Sequence, residues 1–131
     1  MRARLALSAA ALLMALAVAL GAFGAHALKA RFAPDALALW KTAVDYHAWH
    51  AIGMFGAGLL MLQLPRAAAL RHATWLFALG IVLFSGSLYA LALGMPGAFA
   101  IATPFGGAAF VAGWIALALG VLRRSAADDA Q

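Results

Sequence analysis

The 131-residue chain has no cysteine, which excludes disulfides, thiolate metal sites and cysteine nucleophiles. Acidic groups are nearly as scarce: Asp35, Asp45, Asp128 and Asp129, with no glutamate. All four stand outside the long apolar runs or at their very edge. Proton-coupled transport usually rests on an Asp or Glu inside a span, so this scarcity weighs against a small drug–proton antiporter. No phosphate-cradling glycine loop follows a strand, and neither H-E-x-x-H nor G-x-S-x-G occurs. Phe84-Ser85-Gly86-Ser87 holds two serines for which the sequence supplies no general base. Charged residues make up 10% of the chain and apolar ones 67%, against about 25% charged in a soluble domain. This is the composition of a membrane protein, and the length suits one small domain. The net charge is +5, but the nine Lys and Arg sit in short clusters between apolar runs rather than on one face. Their expected partner is the membrane surface, not nucleic acid.

What is present is four long apolar stretches. The pattern predicts an all-α integral membrane bundle of four transmembrane helices, with spans of about 5–26, 46–64, 73–93 and 104–122. These form one domain over residues 1–124, and 125–131 is a polar tail expected to be disordered in the cytoplasm. Ala25-His26-Ala27 imitates a signal-peptide cleavage site. The run from Leu5 is longer than the roughly 7–15 apolar residues of a signal peptide, so it reads as a retained span. Between the first two spans, Pro34 and Asp35 suit a helix start. Leu37, Trp40 and Val44 follow at helical spacing. They predict a short interfacial amphipathic helix, with Trp40 at headgroup level, running into the second span. The apolar stretch 98–102 is expected to pack against the bundle. Six of the nine cations (Arg2, Arg4, Arg66, Arg71, Arg123, Arg124) lie at the termini and in the second loop, and three (Lys29, Arg31, Lys41) in the first. This asymmetry places both termini in the cytoplasm of an inner-membrane, multi-pass protein.

Four unusual segments then meet in the outer leaflet: Gly21 to His26, Asp45 to His50, Ser85 to Tyr89, and Thr103 to Gly107. Tyr46, His50, Gly53 and Ala57 share one face of the second helix. Intramembrane polar groups are candidate functional sites, and here they are His26, Tyr46, His47, His50, Ser85, Ser87, Tyr89 and Thr103. Imidazole suits a metal or haem iron, so His50 with His26 or His47 is a candidate ligand set. The competing reading is a neutral histidine bonded to Tyr89, Ser85 or a carbonyl, fixing the bundle. Asp45 is near enough in sequence to orient a histidine. Small residues let helix backbones approach, which assigns Gly21, Gly24, Gly53, Gly86, Gly106, Gly107, Gly113 and Gly120 to packing. No cofactor is predicted; metal or haem at His50 is the alternative.

Four blocks carry a resemblance: Gly21-Ala22-Phe23-Gly24-Ala25-His26, Tyr46 with His50, Leu83-Phe84-Ser85-Gly86-Ser87-Leu88-Tyr89, and Thr103-Pro104 with Gly106-Gly107. In them the chain resembles domain-of-unknown-function family 423, the UPF0382 small inner-membrane proteins related to the transmembrane protein 256 group. The resemblance implies a four-span bacterial inner-membrane protein with its first span retained, and no established activity. The family pattern often has Gln where this chain has His47, which leaves His50 as the better ligand candidate. The expected function is non-enzymatic, in membrane homeostasis or assembly, with the lipid bilayer and a membrane-protein partner or a second copy as partners. The alternative is a small-ligand, metal, haem or solute-binding protein built around His50.

Overall fold

The computed structural model describes the backbone of residues 1–128 and side chains as far as Leu122. The tail expected at 125–131 therefore lies outside the fully described residues. Every element among those described is helical. Helix α1 (Ala3–Leu28) is regular to Phe23 and closes in a π-helical turn, Gly24–Leu28. Helix α2 is Pro34–Gln63. Helix α3 (Ala68–Ala92) contains a second π-helical segment at Ile81–Ser85. A 3₁₀ turn, Gly97–Ile101, leads into α4 (Ala102–Asp128).

Local chemistry sets the boundaries. Ala33 is extended, Pro34 occupies the first turn and Asp35 follows it, where a missing N–H costs nothing and a carboxylate meets the positive dipole end. Leu64 leaves the helical region before Pro65, as a residue preceding proline tends to. After α3, Gly94 takes a φ of +81°. Its N–H donates to the Leu91 carbonyl and the Met95 N–H to the Ala90 carbonyl, both at 3.0 Å. This is the Schellman pairing that favours glycine, and Pro96 follows it.

Among the described residues, three stretches are long and apolar enough to cross a membrane: Ala3–Leu28, Ala68–Ala92 and Gly97–Leu122. The 30 residues of α2 are long enough, but Asp35, Lys41, Asp45, His47 and His50 lower the apolar content of its first 17 residues. The expected interfacial helix is not a separate element either. Pro34 to Val44 is the opening of α2, because nothing between Trp40 and Tyr46 breaks the helix. Gly97 to Ile101 lies exposed rather than buried against the bundle.

Helix α1 packs on α2, α3 on α4, and α2 on α3 joins the two pairs. α1 buries Ala6, Ala10 and Ala17 and exposes Leu5, Leu12, Leu16 and Val18. In lipid this is a sensible division, because tails are as apolar as Leu and only close packing holds helices together. On α2, Trp40, Ala43, His47, His50, Met54, Ala57 and Met61 are buried at alternating spacings of three and four, the seam of a helix in a bundle. Both histidines are seam residues.

The α3–α4 contact is a glycine register. A Cβ at Gly120 would lie 2.6 Å from Leu70, and one at Gly113 2.7 Å from Phe77; one at Gly106 would strike the backbone nitrogen of Phe84. The glycines advance by seven while their partners retreat by seven, as antiparallel helices require. Phe110 fits Gly80 in the reverse sense. Each large side chain thus enters a space left by a missing one.

A polar and aromatic cluster on the second helix

The seam delivers His47 and His50 to the interior, where they are 2% and 5% exposed. His50 Nδ1 lies 2.7 Å from the Tyr46 carbonyl oxygen. A carbonyl only accepts, so Nδ1 carries the proton and donates. The His50 ring lies flat on Phe110, centroids 3.4 Å apart and planes 11° from parallel, with Phe77 at 5.8 Å. Tyr46 stacks on His50 at 5.8 Å and meets Phe84 at 4.5 Å. His50 is thus held through one nitrogen and through its ring face.

His47 faces Tyr89, with Nδ1 3.4 Å from the phenol oxygen. Its Nε2 and the Oγ of Ser85, which is wholly buried, have no hydrogen-bond partner among the described residues. Ser87 donates to the Phe84 carbonyl at 2.8 Å and lies 2.7 Å from Thr103 Oγ1. Its single proton is used on Phe84, so Thr103 donates to it and ties the start of α4 to α3.

Other candidates lie elsewhere. His26 is exposed on the π turn of α1 and is not brought into the cluster. Asp45 is salt-bridged to Lys41 at 2.6 Å rather than orienting a histidine. Among the described residues no three of His, Cys, Asp and Glu come together as a metal site would require. A Cβ at Gly21 would meet Val44 at 3.3 Å, one at Gly24 would meet Trp40 at 2.6 Å, and one at Gly53 would meet Trp114 at 3.0 Å. Gly107 leaves ordinary space beside Phe84, and Gly86 meets only the Ile81 carbonyl of its own helix, at 3.9 Å.

Trp40, read from the sequence only as an interfacial side chain, is a central residue of the packing. It is 5% exposed, donates its indole N–H to the Leu20 carbonyl at 2.9 Å, and packs on Tyr89 at 4.8 Å. One side chain therefore bonds to α1 and stacks on α3. Its three- and seven-residue spacing to Ala43 and His47 was the available signal. The two π-helical segments fall on the Gly21–His26 and Leu83–Tyr89 blocks. An inserted side chain is a known cause of such local irregularity, and Trp40 Nε1 reaches the helical carbonyl just before the first.

Helices of this length and composition, with polar groups gathered on one seam, define a small helical membrane protein. The chain belongs to the DUF423 family of proteins of unknown function, whose family model matches residues 20–107. It is 42% identical over 108 residues to the UPF0382 membrane protein YwdK of Bacillus subtilis, covering 82% of this chain and 88% of that one. It is 43% identical over 103 residues to a UPF0382 membrane protein of Haemophilus influenzae, covering 79% and 82%. To the UPF0382 inner membrane protein YgdD of Escherichia coli K12 it is 38% identical over 112 residues, covering 81% and 80%. No solved structure matches the chain.

Proposed function

We propose that the chain is a non-enzymatic, four-span protein of the bacterial inner membrane, serving membrane homeostasis or the assembly of a membrane complex. In this reading α2 from about Tyr46 onward is the remaining span, and its polar opening stands at the outer leaflet with both termini cytoplasmic. The cluster is a structural lock that fixes the α1–α2 and α3–α4 pairs at that end. The observation that carries this is the commitment of His50: Nδ1 bonded to the Tyr46 carbonyl and the ring stacked on Phe110. A lock makes a testable distinction. His50→Phe keeps the stack and costs under about 1 kcal/mol, while His50→Ala opens a cavity costing about 3 kcal/mol. Thermal unfolding of both variants, with native mass spectra and metal analysis of the parent, tests this. A stoichiometric metal, haem or organic ligand lost in His50→Phe at unchanged stability would overturn the lock. Topology has its own test, because the chain lacks cysteine. An impermeant maleimide should label Ala30→Cys and Gly97→Cys, but not Ala68→Cys, in intact spheroplasts.

A second reading has its own observation, the unpartnered His47 Nε2 and Ser85 Oγ. Two buried polar atoms without partners suit a small polar guest on the α2–α3 interface, and Ser85→Ala separates this reading from the lock.

A further inference from the structure

A cleft of about 340 Å³ opens between the end of α1 and the first half of α2, at the low end of ligand-sized sites. Its cause is local. Trp40 covers Gly24 and Val44 covers Gly21, which leaves exposed Ala25 as the small open side of α1, with Leu37 across from it and Trp40 as a wall. Trp40 is fixed by its bond to the Leu20 carbonyl, so it does not swing in to fill the space. The rim is charged: Lys29, Lys41 and Asp45 line it. Lys41 pairs with Asp45, whereas Lys29 has no ion pair among the described residues and leaves the rim with one positive charge in excess. An apolar floor beneath a cationic rim has the chemistry of an acyl chain carrying an anionic head.

We propose that this cleft binds one anionic phospholipid, an acyl chain along Ala25, Leu37 and Trp40 and the phosphate between Lys29 and Lys41. A zwitterionic lipid brings its own ammonium to the phosphate and gains less from the same rim. The proposal rests on the reading that the first half of α2 lies at the membrane interface, which the cysteine-labelling pattern tests separately.

The test is native mass spectrometry of the full chain released from bicelles of equimolar phosphatidylglycerol and phosphatidylcholine. The parent should retain one phosphatidylglycerol in preference to phosphatidylcholine. Lys29→Gln should lower that retention about fivefold, the effect of one lysine near an anionic head, and Lys29→Gln/Lys41→Gln further still. Ala25→Phe, at an exposed position, should fill the cleft and abolish retention of either lipid. Arg66→Gln, in the loop between α2 and α3, should change nothing. Equal retention of the two lipids by the parent would overturn the proposal. So would an Arg66→Gln loss as large as that of Lys29→Gln, which would reveal general surface attraction, or a folded Ala25→Phe protein that still holds its lipid. Should Ala25→Phe fail to fold, the comparison of Lys29→Gln with Arg66→Gln decides the matter, because both side chains are exposed.

Discussion

Gly106→Ala is the sharpest perturbation of the bundle. A methyl group there would strike the Phe84 nitrogen and stand 2.8 Å from its Cα, where carbon atoms prefer about 3.5–4 Å. The obstacle is backbone within the π-helical segment of α3, so no rotamer change relieves it. The two helices must part by about 1 Å, which also loosens Phe77 against Gly113 and Leu70 against Gly120. Overpacking costs about 1–3 kcal/mol, and backbone against backbone belongs at the upper end. Alanine returns about 1 kcal/mol of helix propensity, leaving a net loss of about 2 kcal/mol. Gly56→Ala supplies the control, since its methyl group would meet nothing within 4 Å and gains up to about 1 kcal/mol. Reversible unfolding in mixed micelles, followed by circular dichroism, should therefore separate the two variants by about 3 kcal/mol. Equal stabilities, or Gly106→Ala at parental stability, would refute the antiparallel glycine register and the close approach of α3 and α4.

Three further substitutions probe the cluster and its borders. Ser85→Ala removes a buried hydroxyl without a partner, so the lock reading expects unchanged or increased stability, by up to about 1 kcal/mol; a loss above about 1 kcal/mol in the same assay would favour a bound guest. Trp40→Phe keeps the packing on Tyr89 but deletes the bond to the Leu20 carbonyl. It should cost about 1 kcal/mol and speed amide exchange over Gly24–Leu28, and unchanged exchange would sever the link between Trp40 and the π turn. Gly94→Ala forces a side chain into the left-handed region and should cost about 1–2 kcal/mol, whereas Gly97→Ala, also in open space but at ordinary φ, should be near neutral in the same melts.

The sequence carried the helical class, the membrane character and the family plainly, because each rests on long stretches of composition or on short blocks in order. The site was legible in outline. Tyr46 and His50 share a face, and they do stack, because a four-residue step survives in any regular helix. Tyr46, His50, Gly53 and Ala57 was nevertheless not the whole face. The buried seam begins a turn and a half earlier at Trp40 and takes in His47 as well. A tryptophan between Leu39 and Lys41 reads as an interfacial anchor when its helix is thought to lie flat. It reads as a core residue once Pro34–Gln63 is one continuous helix. The misplacement of His26 has a different origin, since it sits in the π-helical turn Gly24–Leu28. A π turn shifts the side chains within and after it away from the positions that a 3.6-residue period predicts.

Trp40 ties together what otherwise looks like two separate features. α1 holds α2 through alanine contacts along most of its length, and these are individually weak. At its C-terminal end the attachment changes character, with an indole N–H on the Leu20 carbonyl and the ring near Phe23 at 6.1 Å and Tyr89 at 4.8 Å. Tyr89 in turn meets His47, so α1, α2 and α3 are joined through one row of aromatic groups. The same indole is a wall of the cleft. Whatever fills the cleft therefore presses on the side chain that docks α1. A ligand that stabilises that docking must stabilise the helix end by the same free energy, since linkage is reciprocal. On this argument, bound phosphatidylglycerol should slow amide exchange over Gly24–Leu28 in the parent and leave it unchanged in Ala25→Phe. Protection that rises equally in both would place the lipid somewhere other than the cleft.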